Sequence, residues 1–498
     1  MTDGRYRFGQ PTSRGPLGQL RIGQVLAAVL GAGWAVAAID LWPSGAGGVI
    51  ALLGLLAAAV AATVPIDGLG LDQWLPVLAG WTLRSTGRAA RRGIASPAPD
   101  GTTVTLTSAK DAEPRVARRP RPRPPRNLRD LRLIEIPYRG RTLGAVSEAG
   151  GRRLTLLLVG RAPGFALADE AEQQRRLAVW GEALKNATGS AVRRVSWVER
   201  TVPAQADGLA RWLHQQRDPQ VALAGALGRS YLELMDQSAH AGREHEVLLC
   251  VQIDARLLRR DLDGRREQAL IGAAERLAQT LERARVTVDA ALTAGGIARA
   301  LRSGFDPYIQ TQLATLRAGG GGDELSEPAA WPAGTREHWD HYQVDGALHA
   351  SFEIGGWPRA EVGPAFLGPL LSPSEHVRSV AVCFEPLDPL SSLRQAEYEI
   401  TRDETDRQTR RRYGQLETAR QRQASDAARH REGELAAGHC EVRLAGFATV
   451  TGRDRDELEL ACDEVLAQAG RANLELRRLY GRQAQAFTFT LPLCRGLR

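Results

Sequence analysis

The chain has 498 residues, 43% apolar and 24% charged, with a formal net charge of +8; that apolar content excludes wholesale disorder and suits two or three folded domains. Lys110 and Lys185 are the only lysines among 65 basic residues, so the abundance of arginine reflects coding bias before it reflects function. The five cysteines are odd in number, far apart and free of any C-x-x-C pair, which argues against a disulfide framework or zinc ribbon and for a reducing compartment.

In chain order, Ile22 to Trp42 and Gly48 to Val64 are two apolar runs joined by an uncharged turn, Pro43 to Gly47. Their lengths predict a transmembrane helical hairpin, with a cleaved signal peptide as the alternative. Arginines precede the first run (Arg5, Arg7, Arg14, Arg21) and follow the second (Arg84, Arg88, Arg91, Arg92). The positive-inside rule then places both termini in the cytoplasm and the protein in the inner (plasma) membrane. Leu71 to Arg84 sets Trp74 and Trp81 seven residues apart, as in an interfacial helix with tryptophans at headgroup depth. Residues 1–92 therefore form the expected two-span anchor, and residues 93–126 a Pro/Arg-rich linker. From Arg84 to Arg132 there are 13 basic and 4 acidic residues, so the basic excess is local. Arg115, Arg118, Arg119, Arg121, Arg123 and Arg126 are the candidate site, a segment for an anionic lipid surface. Direct DNA contact and coding bias without function remain open alternatives.

Downstream, alternating segments predict a first α+β unit over residues 127–318. Strands are expected at Leu131 to Pro137, Thr142 to Ser147, Arg153 to Gly160, Ala191 to Arg200, Glu244 to Asp254 and Val286 to Ala291. Helices are expected at Asp169 to Thr188, Ala204 to Gln216, Val221 to Ser238, Ala255 to Ala284 and from Thr293. Gly319 to Gly322 mark a Gly-rich linker over 319–330. A second α+β unit over 331–498 begins with a hairpin at Asp345-Gly346, followed by helix Glu361 to Leu371, strand His376 to Phe384, then strand, helix and strand. Both units read as α/β sandwiches of split β-α-β, ferredoxin-like type. Residues 393–435 are polar and charged, predicting a long helical arm, solvated or docking another subunit, with breaks at Gly414 and Gly433.

For chemistry the sequence offers little. Neither lysine lies in a Gly-Lys-Ser/Thr context, so there is no P-loop; G-x-S-x-G and H-E-x-x-H are also missing. No catalytic residue, metal or other cofactor is expected. A weak metal candidate is His338, His341 and His349 with Asp340, although alternation through Tyr342, Val344, Leu348, Ala350 and Phe352 already explains this stretch as a half-buried hairpin. Asp306-Pro307 reads as a turn.

Arg176 to Pro203, Ser230 to Leu234 and Glu244 to Asp254 resemble actinobacterial conjugation-associated membrane proteins with a PrgI-like two-span start. Asp345 to Phe352, Gly356-Trp357-Pro358, Arg378-Ser379-Val380, Ala448 to Thr451, Asp456 to Glu459, Leu474 to Arg477, Gln483 to Phe487 and Leu491 to Leu497 are similar to the N-terminal, non-motor domain of type IV secretion ATPases. That family continues into a P-loop motor, whereas this sequence ends at Arg498, so ATP hydrolysis is not expected. The resemblance implies a membrane-anchored, non-catalytic scaffold of a conjugative type IV secretion (DNA and protein transfer) apparatus. Its partners would be a separate ATPase and other inner-membrane subunits, and it would be oligomeric within the complex. A type VII secretion membrane component and a membrane-bound metal-dependent enzyme are the alternatives.

Overall fold

The computed structural model describes Phe8 and residues 22–43, 45–63, 70–86, 122–161, 164–203, 225, 228–230, 233, 243–258, 265–309, 325–412 and 419–497. The fold is α+β, built on one antiparallel sheet of 12 strands. In chain order the strands are β1 (Arg132–Tyr138), β2 (Arg141–Glu148), β3 (Arg153–Arg161), β4 (Val192–Pro203), β5 (Arg243–Asp254), β6 (Thr287–Ala291), β7 (Thr335–Glu337), β8 (Tyr342–Val344), β9 (Ala347–Gly356), β10 (Val377–Pro386), β11 (Val442–Gly452) and β12 (Glu475–Arg478). The helices are α1 (Ile22–Leu41), α2 (Gly45–Thr63), α3 (Leu71–Thr86), α4 (Glu170–Ala187), α5 (Arg266–Glu282), α6 (Ala294–Phe305), α7 (Gly368–Leu371), α8 (Pro389–Arg412), α9 (Ala419–Ala436), α10 (Arg455–Arg471) and α11 (Gln483–Phe487).

The strand order β1-β2-β3-β5-β4-β10-β11-β9-β8-β7 reads the same topologically from either end, with β6 on β3 and β12 on β9. Each half is thus a β-α-β-β-α-β unit extended by a meander: β3-α4-β4-β5-α5-β6 in the first, β9-α7-β10-β11-α10-β12 in the second. Equivalent strands meet at the midline, where β4 pairs antiparallel with β10 from Thr201–Arg378 to Val195–Phe384. The long connections of the two halves occupy equivalent positions. One leaves at Pro203 and returns at its partner Arg243; the other leaves at Pro386 and returns at its partner Val442.

Alternation in the strands sorts the two faces. Leu154, Leu156 and Leu158 of β3 and Leu249, Val251 and Ile253 of β5 pack under α4 and α5. Ala350, Phe352 and Ile354 of β9 and Val450 of β11 pack under α7 and α10. The opposite face is more polar and is covered by α6, α11 and the segment after it, which buries Leu491, Leu493 and Cys494. The helices start where acceptors cap them: Asp169 accepts from Glu172 N at 2.7 Å, Thr293 from Gly296 N at 3.1 Å and Asp454 from Glu457 N at 2.8 Å. The hairpin at Asp345-Gly346 forms as its sequence dictates, with Val344 paired to Ala347 and Asp345 at φ 48°.

Several expectations are corrected. The apolar runs form α1 and α2, an adjacent pair whose seam buries Ala35, Ala38 and Ala51. Gly31 lies so close to Ala58 that an added Cβ would come within 2.5 Å of it. Among the described residues, however, no helix is long and apolar enough to cross a membrane, which overturns the two-span hairpin and the inner-membrane localisation with cytoplasmic termini. Alanine and glycine dominate both helices and contribute little apolar area per turn, and α1 also carries Gln24 and Asp40. The helix expected over Glu361 to Leu371 shrinks to α7, with Pro364 and Pro369 bracketing the start of that turn. Of the helix expected over Ala255 to Ala284, the described part is a 3-10 turn at Ala255–Leu257 and then α5. Gly433 interrupts nothing, lying inside α9. The helices expected at Ala204 to Gln216 and Val221 to Ser238 fall almost wholly outside the described residues, as do Gly414 and the Gly319 to Gly322 run.

Gly144 of β2 donates to the Leu292 carbonyl at 2.8 Å, and a Cβ there would meet Ala294 N at 2.4 Å. Because backbone cannot yield as a flexible side chain does, Gly144→Ala should cost about 2 kcal/mol in urea unfolding.

Candidate docking surface

The N-terminal elements are fastened to the second half through aromatic rings. Trp74 and Trp81 on α3 both contact Trp339, at ring-centroid distances of 6.0 and 5.7 Å, and Trp339 stacks on Tyr480 at 6.2 Å. Gly481, at φ 68°, fits this cluster because a Cβ would come within 2.6 Å of the Trp339 ring. Arg84 donates to the Gly481 carbonyl and sits 3.7 Å from the Glu337 carboxylate. The two tryptophans expected at headgroup depth are thus engaged by protein, and Pro76 is accommodated within a continuous α3. Phe8 makes a second attachment, stacking on Trp357 at 5.0 Å.

The Trp339 loop contains the histidines singled out for metal. His338 stacks on His341 at 4.2 Å, and burial, followed by the proximity of His341, pushes the His338 pKa down. Asp340 lies 2.8 Å from His341 Nδ1. Burial alone would raise the Asp340 pKa, but hydrogen bonds from Arg455 and His341 hold its carboxyl well below the usual range. His349 belongs elsewhere: it is fully buried, with Nδ1 2.9 Å from the Thr451 hydroxyl and Nε2 2.9 Å from the Phe305 carbonyl. Both its ring nitrogens are occupied, so it cannot join His338 and His341 around an ion. Among the described residues no cluster of three ligand-type side chains has metal-binding geometry.

The charged segment over 393–435 forms two packed helices, α8 and α9, inserted between β10 and β11. Their base is tied down: Asp388 caps Ser391 N at 2.9 Å, Leu387 N donates to the Glu441 carbonyl at 2.9 Å, and Arg431 bridges Glu399 at 2.8 Å and Glu441 at 2.7 Å. Further out, Arg407 donates to the Ser425 hydroxyl at 2.9 Å. Among the described side chains of the pair, contacts are mostly hydrogen bonds and ion pairs, with Ala396 the one buried apolar residue, and Leu390 and Tyr398 stand exposed on α8.

Of the basic candidate residues, Arg123 and Arg126 are exposed just ahead of β1, whereas Arg115, Arg118, Arg119 and Arg121 lie outside the described residues. The candidate docking surface is the α8–α9 arm, and the Trp339 cluster is a separate fixed contact that holds α3. Sequence reading found the arm from its charge and missed the Trp339 contact. Its signal was available, since three tryptophans and a Tyr-Gly pair in otherwise aromatic-poor sequence invite mutual packing.

Trp339→Ala should free α3: faster amide exchange within Leu71–Thr86, with exchange in β9 and β11 unchanged, is the expected result in hydrogen-exchange mass spectrometry. His349 supplies a pH signature. Burial lowers its pKa from the ordinary 6.5 to about 4, so between those values the unfolded chain binds the proton and the folded chain does not. Its contribution is intact above pH 6.5 and falls by up to about 3 kcal/mol as pH drops towards 4. Urea unfolding at pH 7 and pH 4.5 should show that His349→Asn removes this component of the slope. No protein-family model and no curated protein matches the chain.

Proposed function

We propose that this chain is a non-catalytic docking component of a conjugative type IV secretion apparatus, and that its α8–α9 arm engages a separate ATPase motor. The observation that carries this reading is the arm itself. It is inserted between β10 and β11, is fixed at its base by Arg431, Glu399 and Glu441, and exposes Leu390 and Tyr398. A fixed base beside an exposed, charged shaft suits recognition by complementary charge, with a few apolar anchors supplying affinity. The likeness of Asp345 to Phe352, Ala448 to Thr451 and Gln483 to Phe487 to the non-motor domain of secretion ATPases supplies the class of partner. In the fold these three stretches lie together: Ser351 pairs with Thr449, and Gln483 hydrogen-bonds the Ser351 backbone. The sequence contains no P-loop, so the reading assigns the ATP chemistry to the partner.

Affinity purification of the full chain from cells with an intact conjugation complex should retain a hexameric conjugation ATPase. Replacing residues 390–436 by a short Gly-Ser linker should lower retention about tenfold or more. Wild-type protein that retains no such ATPase while the complex is intact would refute the assignment.

A further inference from the structure

On the polar face of the sheet, beneath the segment that follows α11, lies a cavity of about 380 Å³. Four arginines converge on it from separate parts of the chain: Arg153 opens β3, Arg194 is on β4, and Arg482 and Arg495 flank the covering segment. Glu353 of β9 is the one carboxylate among the lining residues. Two of the arginines are held in place by carboxylates and by carbonyls of the cavity wall. Arg194 donates to Glu385 at 2.7 Å and to the Leu497 carbonyl at 2.8 Å, and Arg495 donates to Glu148 at 2.9 Å and to the Asn127 carbonyl at 2.8 Å.

Around Arg153 the cations outnumber their counterions. Arg152, Arg153 and Arg193 all draw on the buried carboxylate of Asp254, at 3.7, 3.8 and 3.4 Å. The Nε atoms of these three side chains are buried without a hydrogen-bond partner. Burial, then Arg193 and Arg152, push the Arg153 pKa below its ordinary value. Three guanidinium groups drawing on one buried carboxylate leave positive charge that a further anion beside Arg153 would offset.

We infer that this cavity binds a compact phosphate-bearing anion, held by Arg153, Arg194, Arg482 and Arg495. Guanidinium forks arriving from different directions match the oxygens of a phosphate or diphosphate better than they match a single planar carboxylate. The volume lies within the range of small-ligand sites. Phe447 and Phe489, whose rings are 4.8 Å apart, also line the cavity and add an apolar wall.

Titration calorimetry on the full chain would use pyrophosphate and ADP as probes, each against potassium chloride of equal ionic strength. Saturable binding of pyrophosphate, weakened about tenfold or more in Arg153→Gln/Arg482→Gln, is the expected result. Tighter binding of ADP than of pyrophosphate identifies the occupant as a nucleotide, and equal binding identifies a simple diphosphate; both support the site. Arg482→Gln alone serves if the double variant does not melt cooperatively, with a weaker loss in the same direction. No saturable heat in folded wild-type protein, or equal affinity in a folded variant, overturns the proposal.

Discussion

The backbone ladder between β4 and β10 is the constraint on which the rest of the structure depends. Without it each half would present a hydrogen-bonding edge to water at the position where a β-α-β-β-α-β unit is most open. Pairing the two edges from Thr201–Arg378 to Val195–Phe384 satisfies both at once and makes one continuous sheet. It also fixes directions. Because β4 and β10 are antiparallel, the connection leaving Pro203 and the connection leaving Pro386 depart from opposite ends of the midline.

That continuous sheet has unequal faces, and the inequality explains the course of the C-terminal segment. The face under α4, α5, α7 and α10 is mostly aliphatic, with the buried Arg378 satisfied by Gln468 of α10 and the Ser372 carbonyl. The other face presents Thr155, Gln252, Ser351 and Thr449, all buried, and each must find a hydrogen bond. Cross-strand pairs supply some: Gln252 donates to Thr155 at 3.1 Å, and Ser351 lies 2.9 Å from Thr449, in corresponding places of the two halves. The covering segment supplies others. Gln483 accepts from the Ser351 backbone at 2.8 Å, and Thr490 donates to Thr449 at 2.8 Å. The segment after α11 therefore acts as an integral layer of the fold, completing bonds that the sheet cannot make alone.

Period-two alternation and turn chemistry made most strands legible in the sequence. Arg153 to Gly160, Glu244 to Asp254 and Asp345-Gly346 are strand, strand and turn in the structure, because local pattern and tertiary burial agree there. Disagreement follows where a local signal had no tertiary context. Trp74 and Trp81 carry the same amphipathic spacing whether they face lipid or Trp339, so spacing could not choose. Glu361 to Leu371 carries apolar residues at helical spacing, but its two glycines and two prolines confine the helix to the single turn Gly368–Leu371. The cavity was illegible for a different reason: Arg153, Arg194, Arg482 and Arg495 are spread over more than 340 positions, and in a chain this rich in arginine no one of them stands out.

The arm and the cavity share a boundary at the end of β10. Glu385, which holds Arg194 at 2.7 Å, precedes Pro386, the last residue of the strand. Leu387 then bonds the Glu441 carbonyl at 2.9 Å, and the Glu441 side chain reaches Arg431 of α9 at 2.7 Å. Arg443 on β11 approaches Glu385 from the other side at 3.9 Å. The strand end that launches α8 therefore also carries the carboxylate that orients an arginine of the cavity. Among the described side chains of α8 and α9 the one buried apolar residue is Ala396, so it is the polar contacts at their root, from Arg431 to Glu399 and Glu441, that tie the arm to the sheet.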